Sequence, residues 1–270
     1  MSVVTELNHG LGNKLFKLIH SLIVGEQYNR KVLIYNNISK HEKKDIYDIL
    51  KYFPKVKNLI TMINNKEYDN YVTNNNYLLD EEICFAKINS DIIVTKGYMM
   101  IKYYMLNNKW RKWILSTLKP IPLKNNIVDK PSIGIHIRIG DYLQYNNSMF
   151  SKNFPIYNAD YYIDIVKKYP LHTIYFFTDT GHNFIKNHIV PKIKNQYKFI
   201  INNNAIEDLI TLSTCDILIL SASTFSYWGA YLSNGEVFCP NFWLMIKLRL
   251  ENWTIIDTDK YIATNYDIYK

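Results

Sequence analysis

Residues 133–142 read Ile-Gly-Ile-His-Ile-Arg-Ile-Gly-Asp-Tyr, and this stretch is the strongest guide to the fold. Isoleucine at every second position is the period-two pattern of a β-strand with one apolar face. The other face carries His136 and Arg138 and ends in a Gly-Asp turn. Arginine is rarely buried without a partner, and its planar guanidinium suits a phosphate held through two hydrogen bonds. We interpret the stretch as a central strand with a ligand site at its carboxyl end; the alternative is an edge strand whose polar face meets solvent.

The chain that follows alternates between helical and strand patterns. Helices are predicted at residues 160–169, 184–193, 205–214 and 224–232, and strands at 173–178, 198–201, 216–220 and 236–239. This alternation indicates a parallel, doubly wound sheet, in which ligands bind at the carboxyl ends of the strands. Three predicted ends are polar, namely residues 136–141, 178–179 and 221–224.

The amino-terminal part begins with a strand at 3–7, a glycine-containing turn at 8–13, a helix and a strand at 32–35. The helix has an apolar stripe that leaves Lys14 and Lys17 on its other side. The unit predicts a parallel βαβ start whose helix terminus can bind an anion. Gly10-Leu11-Gly12-Asn13 lacks the third glycine of the dinucleotide fingerprint and the Gly-Lys-Ser/Thr of a P-loop.

The region between these two parts is less regular. A short helix is predicted at 46–53, an Asn-rich loop at 74–76, a strand at 91–96 and one aromatic-rich helix at 103–118. Residues 119–131 contain three prolines and little periodicity, so we predict a linker between two domains there.

The composition limits the class of protein. With 270 residues and 48% hydrophobic residues, the chain can bury a full core. The net charge of +8 fits an anionic ligand such as a nucleotide diphosphate. The basic residues are scattered, so nucleic acid is not an expected partner. Neither a signal peptide nor an apolar run of about 18 residues is present, so we expect no transmembrane segment and a cytoplasmic location.

The three cysteines, Cys84, Cys215 and Cys239, are far apart and lie among apolar neighbours. Their odd number argues against a disulfide framework, and they lack metal-ligand spacing. We expect buried thiols in a reducing compartment.

Several motifs in order along the chain resemble those of the α-1,2-fucosyltransferases, glycosyltransferase family 11. They are Gly10-Leu11-Gly12-Asn13, Gly97-Tyr98, the segment from His136 to Tyr142, Phe177-Thr178-Asp179, Ser223-Thr224-Phe225-Ser226-Tyr227-Trp228-Gly229-Ala230 and Pro240-Asn241-Phe242-Trp243. The resemblance implies a GT-B architecture of two facing Rossmann-like domains with parallel sheets. Residues 1–125 would form the acceptor-side domain and residues 126–270 the domain that binds the nucleotide sugar.

The same resemblance implies an activity. It is an inverting, metal-independent transfer of L-fucose from GDP-fucose to a hydroxyl of a glycan, in α-1,2 linkage. The expected partners are the GDP-sugar donor and the glycan acceptor, with no cofactor and no metal ligands.

The resemblance also assigns roles in the carboxy-terminal domain. Arg138 would clamp the β-phosphate and stabilise the departing GDP, while Asp141 would orient the turn or contact the donor. His136 would lie against the nucleotide, and Asp179 would read the guanine, because a carboxylate can accept two N–H bonds from that base. A helix start would hold the phosphates through Ser223, Thr224 and Phe225.

In the amino-terminal domain the resemblance places Gly12 and Asn13 at the sugar-phosphate region. His9, beside the glycines, is a candidate general base. The alternative reading of His9 is a surface-loop histidine, and we favour that alternative.

Other functions remain open from the sequence. Ile139 and Thr180 stand where the family usually has an arginine and an acidic residue, which allows another GDP- or UDP-deoxyhexose as donor. A catalytically inactive glycan-binding module is a second alternative. A metal-dependent GT-A transferase is a third, because Asp257-Thr258-Asp259 follows a predicted strand; its place after the sheet is complete argues against it.

Overall fold

The computed structural model describes residues 1–37, 45–74, 77–78, 91–97, 99–123, 128–145, 153–201 and 204–269. The chain divides into two compact units, Met1–Pro122 and Leu123–Lys270. This division falls within the stretch 119–131 that we predicted as a linker. The predicted boundary between residues 125 and 126 lies outside the described residues, as do Cys84 and Tyr98.

The first unit is a parallel α/β layer structure. Its strands are β1 (Ser2–Leu7), β2 (Lys31–Asn36), β3 (Ile60–Ile63), β4 (Tyr77–Leu78) and β5 (Ile92–Thr95), in the order β3-β2-β1-β5-β4. All four pairings are parallel. The helices are α1 (Leu11–Gln27), α2 (Asp45–Tyr52), α3 (Pro54–Lys57), α4 (Asn65–Asn74), α5 (Lys102–Leu106) and α6 (Asn108–Thr117).

One sequence prediction in this unit is wrong. The single helix predicted at 103–118 is divided at Asn107, whose extended backbone ends α5. Its side-chain oxygen caps α6 by accepting hydrogen bonds from Lys109 N (3.0 Å) and Trp110 N (3.3 Å). Lys14 and Lys17 are buried although they lie off the apolar stripe, because nearly the whole circumference of α1 is covered.

The second unit contains a six-stranded parallel sheet. Its strands are β6 (Ser132–Ile137), β7 (Thr173–Thr178), β8 (Tyr197–Phe199), β9 (Ile217–Ile219), β10 (Glu236–Pro240) and β11 (Thr254–Ile256), in the order β11-β10-β9-β6-β7-β8. The helices are α7 (Ala159–Val166), α8 (His182–Phe184), α9 (Ala205–Ser213), α10 (Thr224–Leu232) and α11 (Trp243–Leu248). Short 3-10 helices span Gly140–Tyr145, Val190–Lys192, Asp259–Tyr261 and Asp267–Tyr269, and a π-helix spans Ile185–Ile189.

Strand β6 lies inside this sheet, between β7 and β9. All six of its residues are buried, so both faces of the strand are covered. The edge-strand alternative is therefore wrong, and the predicted α/β fold with parallel sheets is confirmed in both units.

One further prediction needs correction. Residues 184–193 do not form one α-helix: α8 passes into a π-helix and then into a 3-10 turn that contains Pro191, which has no N–H to donate. Strand β11 pairs with β10 as the last strand of this sheet, and Asp257 follows it directly. In the described ranges, no helix is both long and apolar enough to cross a membrane.

Candidate functional site

The carboxyl ends of three neighbouring strands carry the predicted site of the second unit. In the parallel register, Ile137 of β6 is opposite Thr178 of β7, and Ile135 is opposite Ile219 of β9. The segments that follow these strands therefore leave the same edge of the sheet. They bring Arg138, Asp179 and Ser221 to one place.

Arg138 directly follows the last residue of β6, and 31% of its side chain is exposed. Its Nη2 donates a hydrogen bond to Asp141 Oδ1 at 2.7 Å, and its Nη1 lies 3.1 Å from Asp179 Oδ2. The guanidinium also lies over the ring of Tyr142, 5.5 Å from the ring centre. The cation is thus fixed from three sides and still reaches solvent.

Asp179 is the better anchored of the two carboxylates. Its Oδ1 accepts hydrogen bonds from Ile139 N (3.2 Å) and Thr180 N (2.9 Å). A Cβ on Gly140 would lie 2.1 Å from Asp179 Oδ2, so a larger residue after Ile139 would displace this carboxylate. The structure therefore places the carboxylate on Arg138, and its guanine-reading role stays a prediction.

His136 lies within β6, two residues before Arg138, and is 6% exposed. Its Nδ1 lies 2.6 Å from Ser221 Oγ, and its ring packs on Phe225 at 4.9 Å between centroids. Burial, and secondarily the charge of Arg138, lowers the pKa of His136 to about 3. The imidazole is therefore neutral at neutral pH.

Helix α10 begins beside this histidine, and Ser223 is its N-cap residue. The Ser223 hydroxyl accepts a hydrogen bond from Phe225 N at 3.2 Å, and the Ser226 hydroxyl donates to Ser221 O at 2.9 Å. Thr224 is the first helical residue and is half-buried. The predicted trio of Ser223, Thr224 and Phe225 therefore forms a helix start, the kind of terminus that binds anions.

The 3-10 helix Gly140–Tyr145 is hydrogen-bonded to the segment that precedes α10. The Tyr142 hydroxyl donates a hydrogen bond to Ala222 O at 2.7 Å. Gly140 N donates to Thr180 Oγ1 at 3.1 Å, so the 3-10 helix after Arg138 is attached on both sides. These contacts hold the loops that surround the guanidinium.

In the first unit, the Gly10-Leu11-Gly12-Asn13 motif forms the start of α1. Gly10 is the N-cap residue and contributes no side chain. Gly12 is buried in the first turn, and Asn13 Oδ1 is buried with no hydrogen-bond partner in the described part of the chain. His9 is exposed and has a left-handed backbone, with φ of 66°. Its role as a base stays a prediction.

Asn36 is a polar residue of this unit that the sequence predictions missed. It is the last residue of β2, beside Leu7 of β1, and is 8% exposed. Its Oδ1 has no hydrogen-bond partner among the described residues. Its position directly after the strand predicted at 32–35 could have identified it as a candidate site residue.

Metal ligands and reactive thiols are not brought together in the described ranges, where no group of three His, Cys, Asp or Glu side chains could hold an ion. Asp257 Oδ1 accepts a hydrogen bond from Asp259 N at 3.3 Å and so caps a 3-10 turn. Cys215 and Cys239 are buried, as expected, and burial raises the pKa of each thiol to about 12.

Comparison with known proteins gives matches that agree with the motifs. Residues 97–241 match Glycosyl transferase family 11. An α-1,2-colitosyltransferase of Escherichia coli is 31% identical over 121 residues, which are 42% of this chain and 41% of that protein. The match thus spans less than half of the length of this curated relative.

Solved structures give a match of fold. The fucosyltransferase NodZ from Bradyrhizobium superposes with a TM-score of 0.53 at 12% identity, covering 86% of this chain and 93% of that one. The iron-containing dodecameric glycosyltransferase TibC of enterotoxigenic E. coli gives 0.45 at 13% identity, covering 88% and 57%. The fold shared with NodZ confirms the predicted GT-B class.

Proposed function

Because the chain belongs to glycosyl transferase family 11, we propose that it is a glycosyltransferase that moves L-fucose from GDP-fucose to a hydroxyl of a glycan. We propose an inverting, metal-independent transfer in α-1,2 linkage. The observation that carries the proposal is the fixed, partly exposed guanidinium of Arg138 at the carboxyl end of the central strand β6. The name of the colitosyltransferase relative supports the α-1,2 linkage.

The proposed chemistry needs a cation where charge develops. The acceptor hydroxyl attacks the anomeric carbon, the bond from that carbon to the phosphate oxygen breaks, and negative charge builds on the β-phosphate of GDP. Arg138 is positioned to take that charge, and one such donor in a site without water contributes about 3 kcal/mol. The start of α10 is a candidate site for the remaining oxygens.

Two histidines have proposed roles in the reaction. His136 is neutral, so it can lie against the nucleotide without a charge of its own. The acceptor proton requires a base, and His9 on the loop before α1 is the candidate from the sequence.

A second candidate is the same reaction with another activated deoxyhexose. The colitosyltransferase relative favours this alternative, because it transfers a sugar other than fucose. Ile139 and Gly181 pack together near the site, where a Cβ on Gly181 would lie 2.8 Å from Ile139 Cδ1.

Thermal unfolding with GDP, UDP and ADP, each with and without EDTA, tests the donor. A nucleotide at about one hundred times its dissociation constant adds about 2.7 kcal/mol to the free energy of unfolding. Stabilisation by GDP alone, unchanged by EDTA, is the expected result. Stabilisation by UDP, or only with metal, contradicts the GDP-sugar assignment, and no stabilisation by any nucleotide favours the inactive glycan-binding module.

Arg138→Ala tests the residue that carries the proposal. Transfer from GDP-fucose should be lost while the unfolding midpoint stays close to that of the wild type. Arg249→Ala, which removes a half-buried guanidinium at the end of α11, is the matched control and should keep activity. Substantial transfer by the Arg138 variant would contradict its role.

A further inference from the structure

Arg138 is held by two carboxylates, although one carboxylate would neutralise it. Asp141 contacts Nη2 at 2.7 Å and Asp179 contacts Nη1 at 3.1 Å. The three groups together carry a net charge of −1. An incoming diphosphate would therefore meet an arginine whose two Nη groups each already contact a carboxylate.

The two carboxylates differ in how firmly they are held. The Asp179 side chain is 25% exposed and accepts two backbone hydrogen bonds, from Ile139 N and Thr180 N. The Asp141 side chain is 51% exposed, and Arg138 is its only hydrogen-bond partner among the described residues. Moving Asp141 away breaks one contact, whereas moving Asp179 breaks three.

A phosphate oxygen and a carboxylate oxygen bind a guanidinium in the same way, through short charge-assisted hydrogen bonds. We propose that Asp141 stands in for a phosphate oxygen of the donor. It occupies Nη2 of Arg138 in the free protein and leaves when the diphosphate binds. Asp179 stays in place as a positioning residue that fixes the plane of the guanidinium. This inference rests on the proposed function, because it takes the donor to be a nucleoside diphosphate sugar.

Calorimetric titration with GDP and with pyrophosphate tests the exchange. Asp141→Asn should tighten the binding of both ligands by up to about five-fold, the limit expected for loss of a half-exposed ion pair. Asp179→Asn should weaken both by about ten-fold or more, because the guanidinium loses its orientation. Asp160→Asn removes another exposed, ion-paired carboxylate of the same unit and controls for the change in net charge. Its affinities should stay within about two-fold of the wild type.

The opposite signs are the decisive result, since a general loss of structure would weaken binding in both variants. Unfolding midpoints of the three variants identify any such loss. If Asp141→Asn and Asp179→Asn both weaken binding at unchanged midpoints, both carboxylates are permanent anchors and the exchange is refuted.

Pyrophosphate separates this inference from the donor assignment, because it carries the two phosphates without the base. If pyrophosphate gives the opposite signs while GDP does not bind, the exchange is supported and the donor assignment fails. If GDP binds the wild type and Asp141→Asn weakens that binding, the donor assignment stands and the exchange fails. If neither GDP nor pyrophosphate binds to the wild type or to any variant, the exchange and the donor assignment are both refuted.

Discussion

A single added methyl group at Gly140 should separate binding of the donor from stability of the fold. Its Cβ would lie 2.1 Å from Asp179 Oδ2, whereas ordinary contact begins at 3.4 Å. The carboxylate must therefore move by about 1.3 Å, the difference between these two distances. That movement stretches its 3.1 Å contact with Arg138 and its two backbone hydrogen bonds.

The expected magnitudes follow from which atoms collide. The obstructing atom is the end of a partly exposed side chain, which can turn toward solvent. We therefore expect Gly140→Ala to lower the free energy of unfolding by only about 1 kcal/mol, the lower end of the range for overpacking. Displacement of the group that orients Arg138 should weaken GDP binding by about ten-fold or more.

Gly134→Ala is the matched control, because it adds the same methyl group inside strand β6, before the 3-10 helix that contains Gly140. Its Cβ would meet buried groups, Leu212 Cδ1 at 2.7 Å and Cys215 Sγ at 2.8 Å. We expect a larger loss of stability, about 1–3 kcal/mol, with GDP affinity retained in the folded protein. Urea unfolding and calorimetric titration measure the two quantities. Wild-type GDP affinity in Gly140→Ala, or an equal loss in Gly134→Ala, would refute this account of the strand end.

Three further outcomes are expected. The pKa of His136 is lowered from 6.5 to about 3, so the unfolded state binds more protons between these values and stability falls as pH drops below about 6.5. Urea unfolding between pH 7 and pH 5 should show a loss of stability that is smaller by about 2 kcal/mol in His136→Gln than in the wild type; the buried His20, whose pKa is lowered to about 4, contributes to the loss in both proteins. Asp257→Ala should retain transfer activity, and EDTA should not reduce that activity, because the carboxylate accepts a hydrogen bond in a turn. An EDTA-sensitive activity that is lost in this variant would revive the metal-dependent alternative. Asn36→Leu should raise the free energy of unfolding by about 1–2 kcal/mol by removing a buried oxygen without a partner, and unchanged thermal stability would contradict that reading.

The elements that the sequence predicted best have strong local signals at both ends. Strand β7 (Thr173–Thr178) and helix α10 (Thr224–Leu232) have the predicted bounds. For α10 the signal is Ser223, a good N-cap residue whose hydroxyl accepts the hydrogen bond from Phe225 N. Local chemistry was sufficient in such places because tertiary contacts did not oppose it.

Tertiary context decided the remaining cases. The apolar residues of 103–118 continue through Asn107, so periodicity alone could not show that this asparagine caps a second helix. Lys17 lies off the apolar stripe of α1, yet it is buried and its Nζ donates to Asn8 Oδ1. The pairing of Asp179 with Arg138 depends on the register of β6 against β7, which residue types do not specify.

The two polar residues of the opening stretch differ in charge because they differ in depth. His136 is within β6, where burial strongly disfavours the imidazolium and the ring is neutral at neutral pH. Two residues later the strand has ended, 31% of the Arg138 side chain is exposed, and two carboxylates accompany a group that is always protonated. A cation at position 136 would lose its charge or destabilise the sheet, and a cation well beyond the turn would be poorly fixed. At the end of a central strand a cation keeps its charge and is also held in place. The order His-x-Arg, and not its reverse, therefore suits a phosphate site there.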